Sequence, residues 1–128
     1  MNLASNSSND NMAMGRMRNS GGVTIREAQR MVRQLEEDKG FNKGYDLETL
    51  LGRKINWMVE EIGELAHAYK HNDKVKMAEE AIDVFFFVAS ILNLVGADGN
   101  AVFLEKMAKN YDRVPVNKKG EFHFDEKS

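Results

Sequence analysis

The chain contains no cysteine. Disulfides, thiolate metal sites and cysteine nucleophiles are excluded on that ground, and a reducing, cytoplasmic setting is expected. Proline occurs once, as Pro115, so no missing backbone N–H interrupts a helix before that point. Excess charge of either sign is lacking too. A net charge of -2 gives no general attraction to a nucleic acid polymer or an anionic membrane. The most apolar stretch, Ala81 to Ala97, is broken by Asp83, Ser90 and Asn93. It falls short of the roughly 20 residues that a membrane span requires and reads as a buried core helix. The first 22 residues carry no apolar signal segment. They are rich in Asn, Ser, Gly and Met without periodicity, and residues 1–22 are expected to form a disordered tail.

What is present is ordinary globular material, 42% hydrophobic and 30% charged over 128 residues, enough for one compact domain. Three clear helical periods predict an all-α fold. Thr24-Ile-Arg-Glu27 is a capping-box pattern that opens a first helix toward Lys39, and Gly40, Asn42 and Gly44 end it. Asp46 caps a second helix with apolar residues at Leu51, Ile55, Met58, Ile62, Leu65 and Tyr69, steps of four and three that make one stripe. His71, Asn72 and Asp73 form a turn. A third helix, Lys74 to Val95, is apolar nearly all round. Gly96 ends it, and Asp98 caps a fourth helix through Tyr111. The helical domain is thus expected over residues 23–113. Residues 114–128 form a C-terminal extension in which "RVPV" and "EFHF" flank "NKKG", the pattern of a small hairpin.

The acids need an explanation. With the stripe of the second helix at zero and about 100° per residue, Glu61 falls near -80° and Glu64 near -140°, on one flank. Lys54 and Trp57 share that flank, while Glu60 leans to its far side. On the third helix Glu80 and Asp83 are again three apart. A turn of a few residues makes the two helices antiparallel neighbours, so both pairs fall at similar heights and four carboxylates can converge. Convergent anions repel one another unless a cation lies among them. An all-oxygen set favours a hard ion, Mg²⁺ or Mn²⁺, over Zn²⁺. The bland alternative is a solvated acidic ridge, with Asp83 paired to a lysine.

These same residues resemble a known family. "EEIGEL" (60–65) followed by "EEAIDV" (79–84) is similar to the signature of MazG-type nucleoside triphosphate pyrophosphohydrolases, Glu-x-x-Glu, a spacer, then Glu-x-x-Asp. The likeness covers roughly residues 25–113. It implies a four-helix MazG-like bundle and Mg²⁺-dependent hydrolysis of ribo- or deoxyribonucleoside triphosphates to the monophosphate and pyrophosphate, by attack of water at the α-phosphate. It implies that Glu61, Glu64, Glu80 and Asp83 are the metal ligands. Glu60 becomes a candidate for orienting or deprotonating the water, with Glu61 as its rival. Lys106, Asn110 and Arg113, at i, i+4 and i+7 on the fourth helix, are similar to the family's phosphate-contacting end. A base could stack on Trp57, and Lys54 could reach phosphate or pair with an acid.

A small bundle with one helix apolar all round has more apolar surface than four short helices can cover. A homodimer or homotetramer is therefore expected. Two rival functions stand beside the hydrolase. Glu64-Leu-Ala-His67 is a Glu-x-x-His pair of the kind found in di-iron bundles, but the second pair ends in Asp83 and His67 points away from the core. The other rival is a non-catalytic helical interaction or regulatory module with an acidic metal-binding ridge.

Overall fold

The computed structural model describes residues 22–113, so the expected tail (save Gly22) and the C-terminal hairpin lie outside the described residues. Four helices follow one another, α1 (Ile25–Lys39), α2 (Leu47–Lys70), α3 (Lys74–Leu94) and α4 (Gly99–Arg113). The fold is an all-α four-helix bundle, as the sequence predicts.

Each helix begins where a short polar side chain satisfies a free N–H. Thr24 Oγ1 accepts from the Glu27 N–H at 3.1 Å, Asp46 from Thr49 at 2.7 Å and Asp73 from Lys76 at 3.0 Å. Gly40, at φ 68°, closes α1. Its N–H bonds the Glu37 carbonyl and that of Phe41 bonds the Glu36 carbonyl, the pairing that ends a helix on a left-handed residue. The α2–α3 turn is so tight that Asn72 takes φ 52°. It leaves the two helices packed as an antiparallel pair, with α1 laid on α3 and α4 on α1. Between α3 and α4 the chain bends by 105°.

That corner is fastened by side chains from α1. Gln29 donates to Asn93 Oδ1 and to the Ala97 carbonyl, and its own Oε1 accepts from the Gly99 N–H at 2.7 Å. Asn93 in turn donates to the Gln29 carbonyl at 2.9 Å. Asn93 is therefore a helix-to-helix tie.

The inward faces differ from expectation in one respect. On α2 the residues turned into the chain are Leu50, Lys54, Trp57, Glu61 and Ala68, each buried or half-buried. They flank the stripe of Leu51, Ile55, Met58, Ile62, Leu65 and Tyr69, of which Leu51, Met58 and Leu65 are half-buried as well. The inward face thus takes in half of the stripe and extends onto the flank that carries the acids. Ile55, Ile62 and Tyr69 are exposed, and so is Val59. The same correction applies to α3, which is not a fully buried core helix within one chain. Its buried residues are Glu80, Ala89 and Ser90, while Ile82 and Val88 face out. The physical reason is coverage. Buried apolar side chains among the described residues are Val32, Leu50, Ala68 and Ala89, and two-layer packing of short helices leaves part of α2 and α3 uncovered.

Candidate functional site

Antiparallel packing of α2 on α3 brings Glu61 and Glu64, three apart on one helix, against Glu80 on the other. One carboxylate oxygen from each lies within 4.8 Å of the others. Glu80 is buried at 2% exposure, Glu61 is half-buried and Glu64 is exposed. Asp83, three residues after Glu80, stands beside this trio rather than in it. It lines a pocket together with Glu61.

The trio is electrostatically uneasy. Burial, followed by a hydrogen bond to Glu80 and the charges of Asp83, Glu64 and Glu80, pushes Glu61 up to about 7. Burial and the Glu80 charge likewise raise Asp83. Glu80 moves the other way, held below its usual range first by a hydrogen bond from Lys76, whose Nζ lies 3.2 Å from Glu80 Oε1. Two acceptors can bond each other only through a shared proton. One oxygen of Glu61 and one of Glu80 are buried with no hydrogen-bond partner, a situation that normally costs free energy. All-oxygen donors within 4.8 Å of one another, two of them with a buried oxygen that has no partner, suit a hard divalent cation. Glu61, Glu64 and Glu80 can hold a metal ion.

The other residues singled out in the sequence are distributed as follows. Glu60 is exposed on α2, next to the trio but turned to solvent. Lys54 is 3% exposed, and its ammonium pairs with the Glu36 carboxylate. Trp57 is half-buried, its ring 6.3 Å from that of Phe87, with the Arg53 guanidinium 5.3 Å from its centre. Lys106 is exposed on α4. Asn110 accepts from Arg113 Nη2 at 3.3 Å, and the Arg113 Nε is buried without a partner. None of these three α4 residues joins the carboxylate trio or lines the pocket beside it. His67 and His71 are exposed, their rings 4.2 Å apart.

Three residues were missed by the sequence reading. Lys76 is the counter-charge of Glu80, and its i, i+4 spacing was a usable signal. Glu36 and Ser90 form a buried network with Lys54, in which Ser90 Oγ donates to Glu36 at 2.8 Å. Glu36 follows Gln29 and Val32 at i, i+3 and i+7, which marks the inward face of α1. Ser90 is marked only as a polar break in the apolar stretch from Ala81 to Ala97.

A comparison with curated proteins finds no match, and neither does one with solved structures. A family profile does match. It is that of the MazG nucleotide pyrophosphohydrolase domain, over residues 52–117, just over half of the chain and spanning the whole acidic trio and Asp83. The chain belongs to the MazG nucleotide pyrophosphohydrolase family.

Proposed function

We propose that this protein hydrolyses ribo- or deoxyribonucleoside triphosphates to the monophosphate and pyrophosphate with Mg²⁺, Mn²⁺ being a possible substitute, and serves to cleanse or regulate the nucleotide pool. The observation that carries the proposal is the meeting of Glu61, Glu64 and Glu80 within 4.8 Å, with buried oxygens that lack any donor. Asp83, beside them, completes the ligand set on this reading. A divalent ion bound there supplies positive charge to the phosphate oxygens and to the leaving pyrophosphate.

The chain's own groups do the rest. Glu61, half-buried in the trio, is one candidate to take the water's proton, through a carboxylate oxygen not given to the metal. Glu60, adjacent and solvent-facing, is the second candidate for orienting that water. The attacking oxygen bonds to the α-phosphorus, the bond to the β-phosphate oxygen breaks, and the water's proton passes to the carboxylate. Lys106, Asn110 and Arg113 contribute phosphate contacts, and Lys54 and Trp57 contact the remainder of the nucleotide. The working form is a homodimer or homotetramer in the cytoplasm, with neither a nucleic acid polymer nor a membrane as partner.

The test is pyrophosphate release from a panel of ribo-, deoxyribo- and oxidised triphosphates, with and without Mg²⁺, for the wild type and Asp83→Asn. Mg²⁺-dependent release that is lost in a folded Asp83→Asn protein is the expected result. Failure of folded, Mg²⁺-loaded wild type to cleave any triphosphate would overturn the proposal and favour the non-catalytic interaction module.

A further inference from the structure

The first turn of α3 holds Lys74 and Lys76 and no acid. A helix N-terminus favours negative charge and disfavours positive charge. Lys76 also precedes Glu80 at the i, i+4 spacing, the less stabilising order for a lysine and a glutamate on a helix. Neither feature helps the helix to form. The side chain is nevertheless committed, with Lys76 Nζ 3.2 Å from Glu80 Oε1 and 3.7 Å from Glu79 Oε2. Its root is fixed as well, because the Lys76 N–H is the one that the Asp73 cap accepts.

The two ends of this pair differ in their surroundings. The Glu80 side chain is 2% exposed, and its Oε2 is buried with no hydrogen-bond partner. The Lys76 side chain is 53% exposed. An ammonium carries three N–H donors on a flexible stem, so Lys76 stands at the edge of the trio with donors left over. Positive charge is needed at that edge. Glu61, Glu64, Glu80 and Asp83, when ionised, carry more negative charge than one divalent ion offsets, and a triphosphate adds more. Lys54 is spent on Glu36, and α4, which bears Lys106 and Arg113, packs on α1. Lys76 is the cation seated against the carboxylates.

Building on the pyrophosphohydrolase reading, we propose that Lys76 binds the polyphosphate chain of the substrate, and that in the empty site its ammonium stands at Glu80 in place of the metal ion. Two cations drawn to one carboxylate repel each other. With a divalent ion on the trio, Glu80 no longer depends on Lys76 for its counter-charge. The exposed stem then carries Nζ outward, where it donates to a non-bridging phosphate oxygen. A lysine that merely holds Glu80 in position supports metal binding, whereas one that stands in for the metal opposes it. The two roles differ in the sign of their effect on metal affinity.

The test is calorimetric titration of the full chain, first with Mg²⁺ alone and then with inorganic tripolyphosphate in saturating Mg²⁺. Lys76→Met keeps an apolar stem and removes the charge. It is expected to bind Mg²⁺ alone roughly 3- to 10-fold more tightly than the wild type does. Its affinity for tripolyphosphate is expected to fall roughly 10-fold or more. Lys76→Gln, titrated in parallel, gives the same readout with a polar side chain. Lys76→Arg keeps the charge, and its tripolyphosphate affinity is expected within about threefold of wild type. Lys74→Met removes an equal charge from the same turn, on another face of the helix, and is expected to change tripolyphosphate binding by no more than about twofold. An unchanged tripolyphosphate affinity in folded Lys76→Met, a Mg²⁺ affinity that fails to rise, or an equal loss in Lys74→Met overturns this inference alone. If the wild type binds neither Mg²⁺ nor tripolyphosphate, the pyrophosphohydrolase reading falls and this inference falls with it.

Discussion

Burial and the carboxylates of Glu80, Asp83 and Glu64 push Glu61 up to about 7 from an ordinary 4.5, while Lys76 holds Glu80 down. The two shifts act on stability with opposite signs. A carboxyl whose folded value is raised favours the fold while protonated. That contribution is complete below 4.5 and is lost as the pH rises to about 7. Asp83, also raised, adds in the same direction. Glu80, being lowered, contributes above its unfolded value and loses that contribution as the solution is acidified through its folded value. Metal-free protein should therefore melt at progressively lower temperature from about pH 5 to about pH 7.5. Mg²⁺ competes with the proton for the same oxygens, so it should raise the melting temperature more at the upper pH than at the lower one. Glu61→Gln should flatten the metal-free profile, because an amide neither titrates nor repels. The same change should reduce turnover roughly a hundredfold or more, as measured by pyrophosphate release. A pH-independent melting curve for the metal-free wild type would contradict the account.

At the scale of the helix, two junctions decide the geometry. A Cβ on Gly99 would lie 2.3 Å from Ile25 Cγ2 and 2.7 Å from Gln29 Oε1, so the Ile25 and Gln29 side chains, or α1 with them, must shift if any side chain is placed there. Gly99→Ala should destabilise the fold by about 1–3 kcal/mol, seen as a lower urea midpoint. Lys54→Met made alone strands the Glu36 carboxylate among α1, α2 and α3. It should cost about 3–5 kcal/mol, whereas the double change Glu36→Leu/Lys54→Met should cost much less. These two junctions also show where the sequence was readable. Thr24, Asp46 and Asp73 act within their own first turns, so the helix starts followed from local pattern. The meeting of Glu61, Glu64 and Glu80 followed from a short turn and equal heights on two consecutive helices. The Glu36–Lys54–Ser90 network did not, because its members are 18 and 36 residues apart and each alone looks ordinary. Asp83 was expected among the ligand oxygens. It lies beside them, a distinction of side-chain reach that spacing on a helical wheel does not resolve.

At the scale of the whole molecule, part of the face of α2 that looked like its core stripe is left bare, together with its neighbour Val59. Ile55, Val59 and Ile62 are 47%, 59% and 47% exposed, and Ile82 and Val88 of α3 are exposed as well. Periodicity correctly identified an apolar surface but not its cover, since a wheel cannot tell packing within a chain from packing between chains. The acids occupy the neighbouring face because the chain packs that face on itself, across α3. The bare residues recur at i, i+4 and i+7 on α2, the spacing of a helix-in-groove contact. A second copy of the chain is the cover that the oligomeric proposal supplies. If it is right, folding and association are linked, and the melting temperature should rise with protein concentration. Ile62→Glu is the direct test. It places a charge on the bare stripe, one residue from the metal-ligand candidate Glu61 but on the other face of the helix. Sedimentation should show wild type as a dimer or tetramer and Ile62→Glu shifted to monomer, with a melting temperature that no longer depends on concentration. A wild type that sediments as a monomer at every concentration would instead mean that these isoleucines and valines meet water, and that α2 and α3 derive their stability from each other and from the helices of the same chain.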